Sequence, residues 1–207
     1  MKDSIRLDYP DGKASLYSLD DINSELSVIG TRAWTIDLSN VPTDIKQLLK
    51  KQTLSDEEKG IILHYFLLPM ERLLNIIEDA GRTPNIPGGG EFSTTVSTFG
   101  YSYPQLYLSE EGVDYSRFDN LHLNVSQDGT GVDEVLQFVS GSEFVIHQYM
   151  PDKNVLQVHF SCPDENSGWM ITYNGKNPHI GSLTSSSIGT KLIVQVIGPA
   201  EWEMKYI

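Results

Sequence analysis

The spacing of apolar positions changes several times along this chain, and each change predicts a different kind of structure. From Ser4 to Tyr9 apolar and polar residues alternate, Pro10-Asp11-Gly12 signals a turn, and a second short strand is expected around Ala14 to Tyr17. Ile22, Leu26 and Ile29 then recur at helical spacing, with Ser18 or Asp20 placed to cap the start and Gly30 to end it. Trp34 to Leu38 alternates again and reads as a strand.

Between Thr43 and Gly81 the period is helical. Ile45, Leu48 and Leu49 share one face of a first helix. Ser55-Asp56-Glu57-Glu58 is a capping box, in which the serine hydroxyl and the Glu58 carboxylate satisfy each other's free backbone donors. Pro69 lacks an amide hydrogen and clashes with the preceding turn, so it divides the segment after the box into helices over roughly 56–67 and 70–80, with Gly81 as the stop. Ile61, Ile62, Tyr65, Phe66, Leu73, Leu74, Ile76 and Ile77 form a broad apolar face that the rest of the protein is expected to cover.

Thr83 to Gly90, with Pro84, Pro87 and three consecutive glycines, sustains neither helix nor central strand and reads as a linker or rim loop. Beyond it the period drops to two. Strand-like runs come about every ten residues: Phe92–Phe99, Gln105–Leu108, Leu121–Val125, Glu134–Val139, Glu143–Tyr149, Val155–Phe160, Trp169–Tyr173, Lys191–Val196 and Trp202–Tyr206. The fold class expected is α+β: a mixed α/β and helical region over 1–87, then an antiparallel β-barrel or sandwich over 91–207, either as two regions or as one continuous domain.

Composition narrows the function classes. A chain of 207 residues can bury a core without disulfides or a structural metal, and its single cysteine, Cys162, excludes an internal disulfide and fits a reducing, cytoplasmic setting. No run approaches the ~18 apolar residues of a membrane span. The net charge is −13, and residues 91–207 carry 5 basic against 14 acidic side chains, a net of −9. Such a surface repels phosphate backbones and anionic lipid, so the expected partners are a small-molecule ligand or a basic protein, not nucleic acid or membrane.

Ligand-type side chains gather late: His122, Glu134, His147, His159 and His179 all come after residue 120. In the stretch 112–141, Glu134 and Gly141 are separated by six residues, and His122-Leu123-Asn124 precedes them. This partly resembles the first motif of the cupins, in which a His-x-His pair is followed by a glutamate and, after six residues, a glycine. The resemblance implies a β-barrel-like domain with a small-molecule pocket. Asn124 stands where the second histidine of that motif falls, nine residues separate it from Glu134, and Asn177-Pro178-His179-Ile180-Gly181 is an irregular second motif.

On the chemistry of the residues, imidazoles and a carboxylate suit a divalent Fe, Mn, Zn or Ni ion, with His122, Glu134, His159 and His179 as the candidate ligands. Without a metal, His122 with Glu134 or Asp133 is a candidate general-base pair. The reading is therefore a small-molecule enzyme or binding protein. The alternative is a non-catalytic acidic module that covers a basic surface, as immunity and inhibitor proteins do. Asp128 to Glu134, three carboxylates around two glycines, reads as a hairpin turn before it reads as part of a calcium loop, Cys162 as a packed thiol, and His64 as a helix-surface or core-edge residue.

Overall fold

Alternating apolar side chains need a second layer to cover them, and here two antiparallel sheets supply it to each other. The computed structural model describes residues 4–84, 105–108, 120–183, 190–199 and 201–207. The expected strand over Phe92–Phe99 and the glycine-rich loop after residue 84 lie outside the described residues. In chain order the elements are β1 (Ile5–Asp8), α1 (Leu19–Leu26), β2 (Arg32–Asp37), α2 (Thr43–Leu49), α3 (Asp56–Phe66), α4 (Met70–Asp79), β3 (Gln105–Leu108), β4 (His122–Val125) and β5 (Asp133–Ser140). They continue with β6 (Phe144–Tyr149), β7 (Val155–Phe160), β8 (Ser167–Asn174), β9 (His179–Leu183), β10 (Lys191–Ile197) and β11 (Glu203–Tyr206).

One sheet has the order β1-β7-β6-β9-β4-β11 and the other β2-β8-β5-β10-β3. The two sheets do not close into a barrel, so of the two expected architectures the sandwich is the one found. Its interior is built from alternate residues of both: Phe144, Ile146, Val158 and Phe160 from the first, and Leu136, Phe138, Trp169, Ile171, Leu192 and Val194 from the second. β1 and β2, from the N-terminal part of the chain, pair with β7 and β8 in these same sheets. The strand expected at Ala14–Tyr17 contributes only the isolated bridge Leu16↔Leu7.

The helices behave as their pattern predicts. Ser18 caps α1, the Ser55–Glu58 box opens α3, and Pro69 separates α3 from α4. Together α3 and α4 have the length and apolarity of a membrane span bent by 62°, and among the described residues no single helix does. Their apolar face is covered within the protein. Ile62 and Phe66 pack on Val139 and Ile193, while Leu73, Ile76 and Ile77 pack on Val135, Met170 and Ile197, all on the outer face of the second sheet.

Adjacent residues of a strand face opposite ways, so β5 serves two environments at once. Glu134, Leu136 and Phe138 look between the sheets, and Asp133, Val135 and Val139 look toward the helices. Asp133 is buried there against Arg82 (Nε to Oδ1, 3.0 Å), with Asn174 Nδ2 donating to the same oxygen at 3.1 Å. Arg82 also donates to Thr172 Oγ1 at 2.7 Å and to the Gly30 carbonyl, which ties the end of α4 to the sheet.

Candidate metal centre between the sheets

The polar residues of the interior lie at one place. Cross-strand register sets Gln148 opposite His179, His179 opposite His122, and His122 opposite Tyr206, one row across β6, β9, β4 and β11. Partners in such a row project to the same face with Cβ atoms about 5 Å apart. Asn124, two residues along β4 from His122, points the same way. From the facing sheet Glu134 and its own cross-strand partner Tyr173 meet them.

The contacts are close. Asn124 Nδ2 donates to Glu134 Oε1 at 2.7 Å, and Tyr173 donates its phenol hydrogen to Glu134 Oε2 at 3.1 Å. His179 Nε2 is 3.3 Å from Glu134 Oε1 and 3.5 Å from Asn124 Nδ2. The His122 and His179 ring centres are 4.4 Å apart, and Tyr173 lies 4.6 Å from His179. Relative exposure is 4% for His122, 5% for Glu134 and 1% for His179, which makes this a desolvated site.

Both imidazoles are oriented in the same way. His179 Nδ1 lies 2.8 Å from the carbonyl of Asn177, and His122 Nδ1 lies 3.4 Å from that of Asn120, in each case two residues back along the chain. A ring that gives its Nδ1 hydrogen to a carbonyl keeps its basic lone pair at Nε2. In His179 that nitrogen faces a carboxylate oxygen, and two lone pairs repel unless a proton or a cation lies between them.

Electrostatics at the site separate its acid from its base. Burial pushes the His122 imidazole down to about 4, and the neighbouring His179 adds to the effect, so His122 is neutral at pH 7. Burial by itself would raise the Glu134 carboxyl. The charge and hydrogen bond of His179, with hydrogen bonds from Asn124 and Tyr173, more than offset it and hold Glu134 below its ordinary value.

Of the residues expected from sequence to form a site, the structure brings His122, Glu134 and His179 together, and His159 stands apart. It lies on β7, beyond β6, on the strand face opposite Val158 and Phe160, with Nε2 3.1 Å from Asp8 and Nδ1 3.3 Å from Glu143. A one-residue change of phase is the reason: an odd position on that strand leaves the interior. Asp133 likewise faces away from His122, toward Arg82, so only Glu134 can pair with that histidine.

The other candidates fall outside the site. His147 is half-buried on the face of β6 opposite Gln148, and His64 is exposed on α3. Burial drives the Cys162 thiol up to about 12, which leaves it protonated and unsuited to act as a nucleophile. Asp128 accepts from Ser126 Oγ at 2.5 Å and from the Thr130 amide at 2.9 Å, the contacts of a tight turn. Gly141, the glycine of the partial motif, has φ of +134° in the β5–β6 turn, where a Cβ would come within 2.3 Å of Thr190 Oγ1.

Sequence reasoning missed Asn124, Tyr173 and Gln148 as members of the site and missed β9 as a strand. Pro178, Gly181 and only two apolar residues, Ile180 and Leu183, hide a strand whose first residue is His179. The alternation of β8 and β6 could have placed Tyr173 and Gln148 on the interior face, but not beside the histidines.

The donor types fit a divalent ion, since two imidazoles and one carboxylate with an open position are a known catalytic set for zinc and non-haem iron. Their present spacing is that of a hydrogen-bonded cluster. Among the described residues no three His, Cys, Asp or Glu side chains are set at metal-ligand distances. Two amide atoms are left over: Asn124 Oδ1 and Gln148 Nε2 are buried without a hydrogen-bond partner.

No family model and no curated protein sequence matches the chain. Among solved structures it is similar to an acireductone dioxygenase from Bacillus anthracis, determined with a cadmium ion in its active centre, with a TM-score of 0.62 and 15% identity over 95% of this chain and 94% of that one. At that identity the likeness speaks for architecture, and the α+β sandwich of this chain is cupin-like.

Proposed function

We propose that this protein is a metal-dependent enzyme acting on a small molecule, with a divalent ion held by His122, His179 and Glu134 between the two sheets. The observation that carries this reading is the His179–Glu134 contact, in which a ring fixed through Nδ1 presents Nε2 to a buried carboxylate at 3.3 Å. A cation there would be shared by the ring nitrogen and the carboxylate oxygen that already meet. The solved neighbour with cadmium in its active centre supports the same reading.

A bound divalent ion supplies Lewis acidity toward a substrate oxygen and lowers the pKa of a coordinated water. The chain's own residues do the rest. Asn177 and Asn120 orient the two imidazoles through their carbonyls, and Asn124 and Tyr173 fix the Glu134 carboxylate by donating to one oxygen each. His122, uncharged at neutral pH, is a ligand or a proton acceptor without first losing a proton.

Calorimetric titration of the metal-free protein with Zn²⁺ tests this. One equivalent is expected to bind, with affinity reduced at least about tenfold in His122→Ala, His179→Ala and Glu134→Gln and unchanged in His159→Ala. Wild-type protein that takes up no stoichiometric ion would overturn the reading.

A further inference from the structure

β11 ends the first sheet: it pairs with β4 on one side, and among the described residues no strand lies on the other. The Ile207 amide donates to the Leu121 carbonyl at 3.0 Å, and the ladder bonds of an antiparallel pair recur at every second residue. Glu203 and Lys205 therefore direct their backbone groups to β4, while those of Trp202, Met204 and Tyr206 point away from it. Along this edge Met204, Tyr206 and Ile207 are 37%, 55% and 64% exposed. Such an edge is a template for another strand, which natural sheets deter with a proline, a bulge or a lone charge. β11 has no proline, its register with β4 runs without a break, and its lysine is matched by a glutamate two residues away.

Those two charges select the partner. From Trp202 to Tyr206 the order is aromatic, acid, apolar, base, aromatic, which is complementary to itself when reversed. An antiparallel copy centred on Met204 sets Glu203 opposite Lys205 twice, and Trp202 opposite Tyr206 twice. The charges then occupy the non-hydrogen-bonded positions of the new ladder, where facing Cα atoms are about 4.5 Å apart and side chains are closest. Other alignments fail on charge: a parallel copy in register sets Glu203 against Glu203, and centring on Glu203 or Lys205 brings like charges together. We propose that β11 is a self-association edge, on which a second copy of this chain pairs antiparallel about Met204 and joins the two six-stranded sheets across a two-fold axis. The edge is short, so the dimer is a weak one. Nothing in it depends on an ion at the histidine cluster.

Sedimentation equilibrium of the full chain tests this, in about 0.15 M salt, which screens the net charge of −13 beyond about 8 Å and leaves facing pairs in contact. A monomer–dimer equilibrium is expected between about 1 and 200 μM. Lys205→Glu, which makes every facing pair acidic, and Glu203→Lys, which makes every one basic, are each expected to weaken the dimer by about tenfold or more. Mixed in equal amounts, these two variants are expected to form a heterodimer, and the double exchange of Glu203→Lys with Lys205→Glu is expected to restore the homodimer. Met204→Pro removes the amide at the centre of the new ladder without touching the bonds to β4, and it is expected to be monomeric. Circular dichroism compares each variant with the wild type, and the mixing result stands without the proline variant.

Wild-type protein that stays monomeric over the whole range overturns the proposal. A dimer that either single exchange leaves at its wild-type affinity overturns it equally, because the contact would then lie elsewhere on the molecule. So does a mixture of the two single variants that fails to associate, since loss without rescue would mean that Glu203 and Lys205 do not face each other across the two-fold axis.

Discussion

His122 and His179 stand opposite each other in the same sheet, share the same carbonyl tether and sit within one cluster, and burial there gives His122 a marked pH dependence. Its pKa is about 4 in the folded protein and about 6.5 when unfolded, so between these values the unfolded chain binds the extra proton. Stability of the metal-free protein should therefore fall as the pH drops from 6.5 toward 4, by up to about 3 kcal/mol from this group. Urea unfolding at pH 7 and pH 4.5 checks it: the loss should shrink in His122→Asn, and an equal loss in that variant would assign the acid sensitivity elsewhere. Glu134 contributes in the same sense, at lower pH. Its lowered pKa stabilises the fold above the carboxylate's unfolded value, and that contribution is lost as the pH falls through the folded one.

At the level of elements, the site depends on how closely strands and turns approach. Gly175, just after β8, donates its amide to Val132 O at 2.6 Å and accepts from the Asn124 amide at 2.8 Å. A Cβ there would lie 2.8 Å from the Asn124 carbonyl oxygen and 2.9 Å from its Cβ. Gly175→Ala should push β4 away, reduce stability by about 1–3 kcal/mol and weaken Zn²⁺ binding as well, measured by thermal unfolding and calorimetry. Elsewhere, Lys191 on β10 reaches the end of α2, where Nζ donates to Leu49 O at 2.8 Å and Lys51 O at 2.7 Å. Burial lowers the Lys191 ammonium to about 8. The unfolded chain keeps that proton to about 10.4, so this group makes stability rise as the pH goes from 8 to 10. Lys191→Met should abolish that rise and cost about 2 kcal/mol at pH 8 through the unsatisfied helix carbonyls. A pH profile that keeps its rise in the variant would place its origin in another group.

Across the whole molecule, two buried polar systems lie back to back on β5 and do different work. Glu134 faces the interior and the histidines. Asp133, its neighbour, faces Arg82 and fastens the end of the helical layer to the sheet. Removing Arg82 takes away the guanidinium against which Asp133 is buried, so Arg82→Met should destabilise by about 3–5 kcal/mol, seen in denaturant unfolding, while Zn²⁺ affinity of the folded protein is retained. Zn²⁺ in turn should raise the unfolding free energy by about 2.7 kcal/mol at a hundredfold excess over its dissociation constant, an effect absent in Glu134→Gln.

Local rules were enough to read much of this chain. The Ser55–Glu58 box, the break at Pro69, the stop at Gly81 and strands such as β7 follow from side-chain chemistry within a few residues, and composition excludes an internal disulfide. The late histidines and Glu134 were recognisable as ligand types for the same reason. What periodicity could not convey was register, because hydrogen bonding between distant strands sets it. Pairing put His179 beside His122 across 57 residues of chain, turned His159 outward to Asp8, and closed the sheets as a sandwich. Gln148 and Asn124 look like ordinary strand residues until that pairing buries one amide atom of each without a partner.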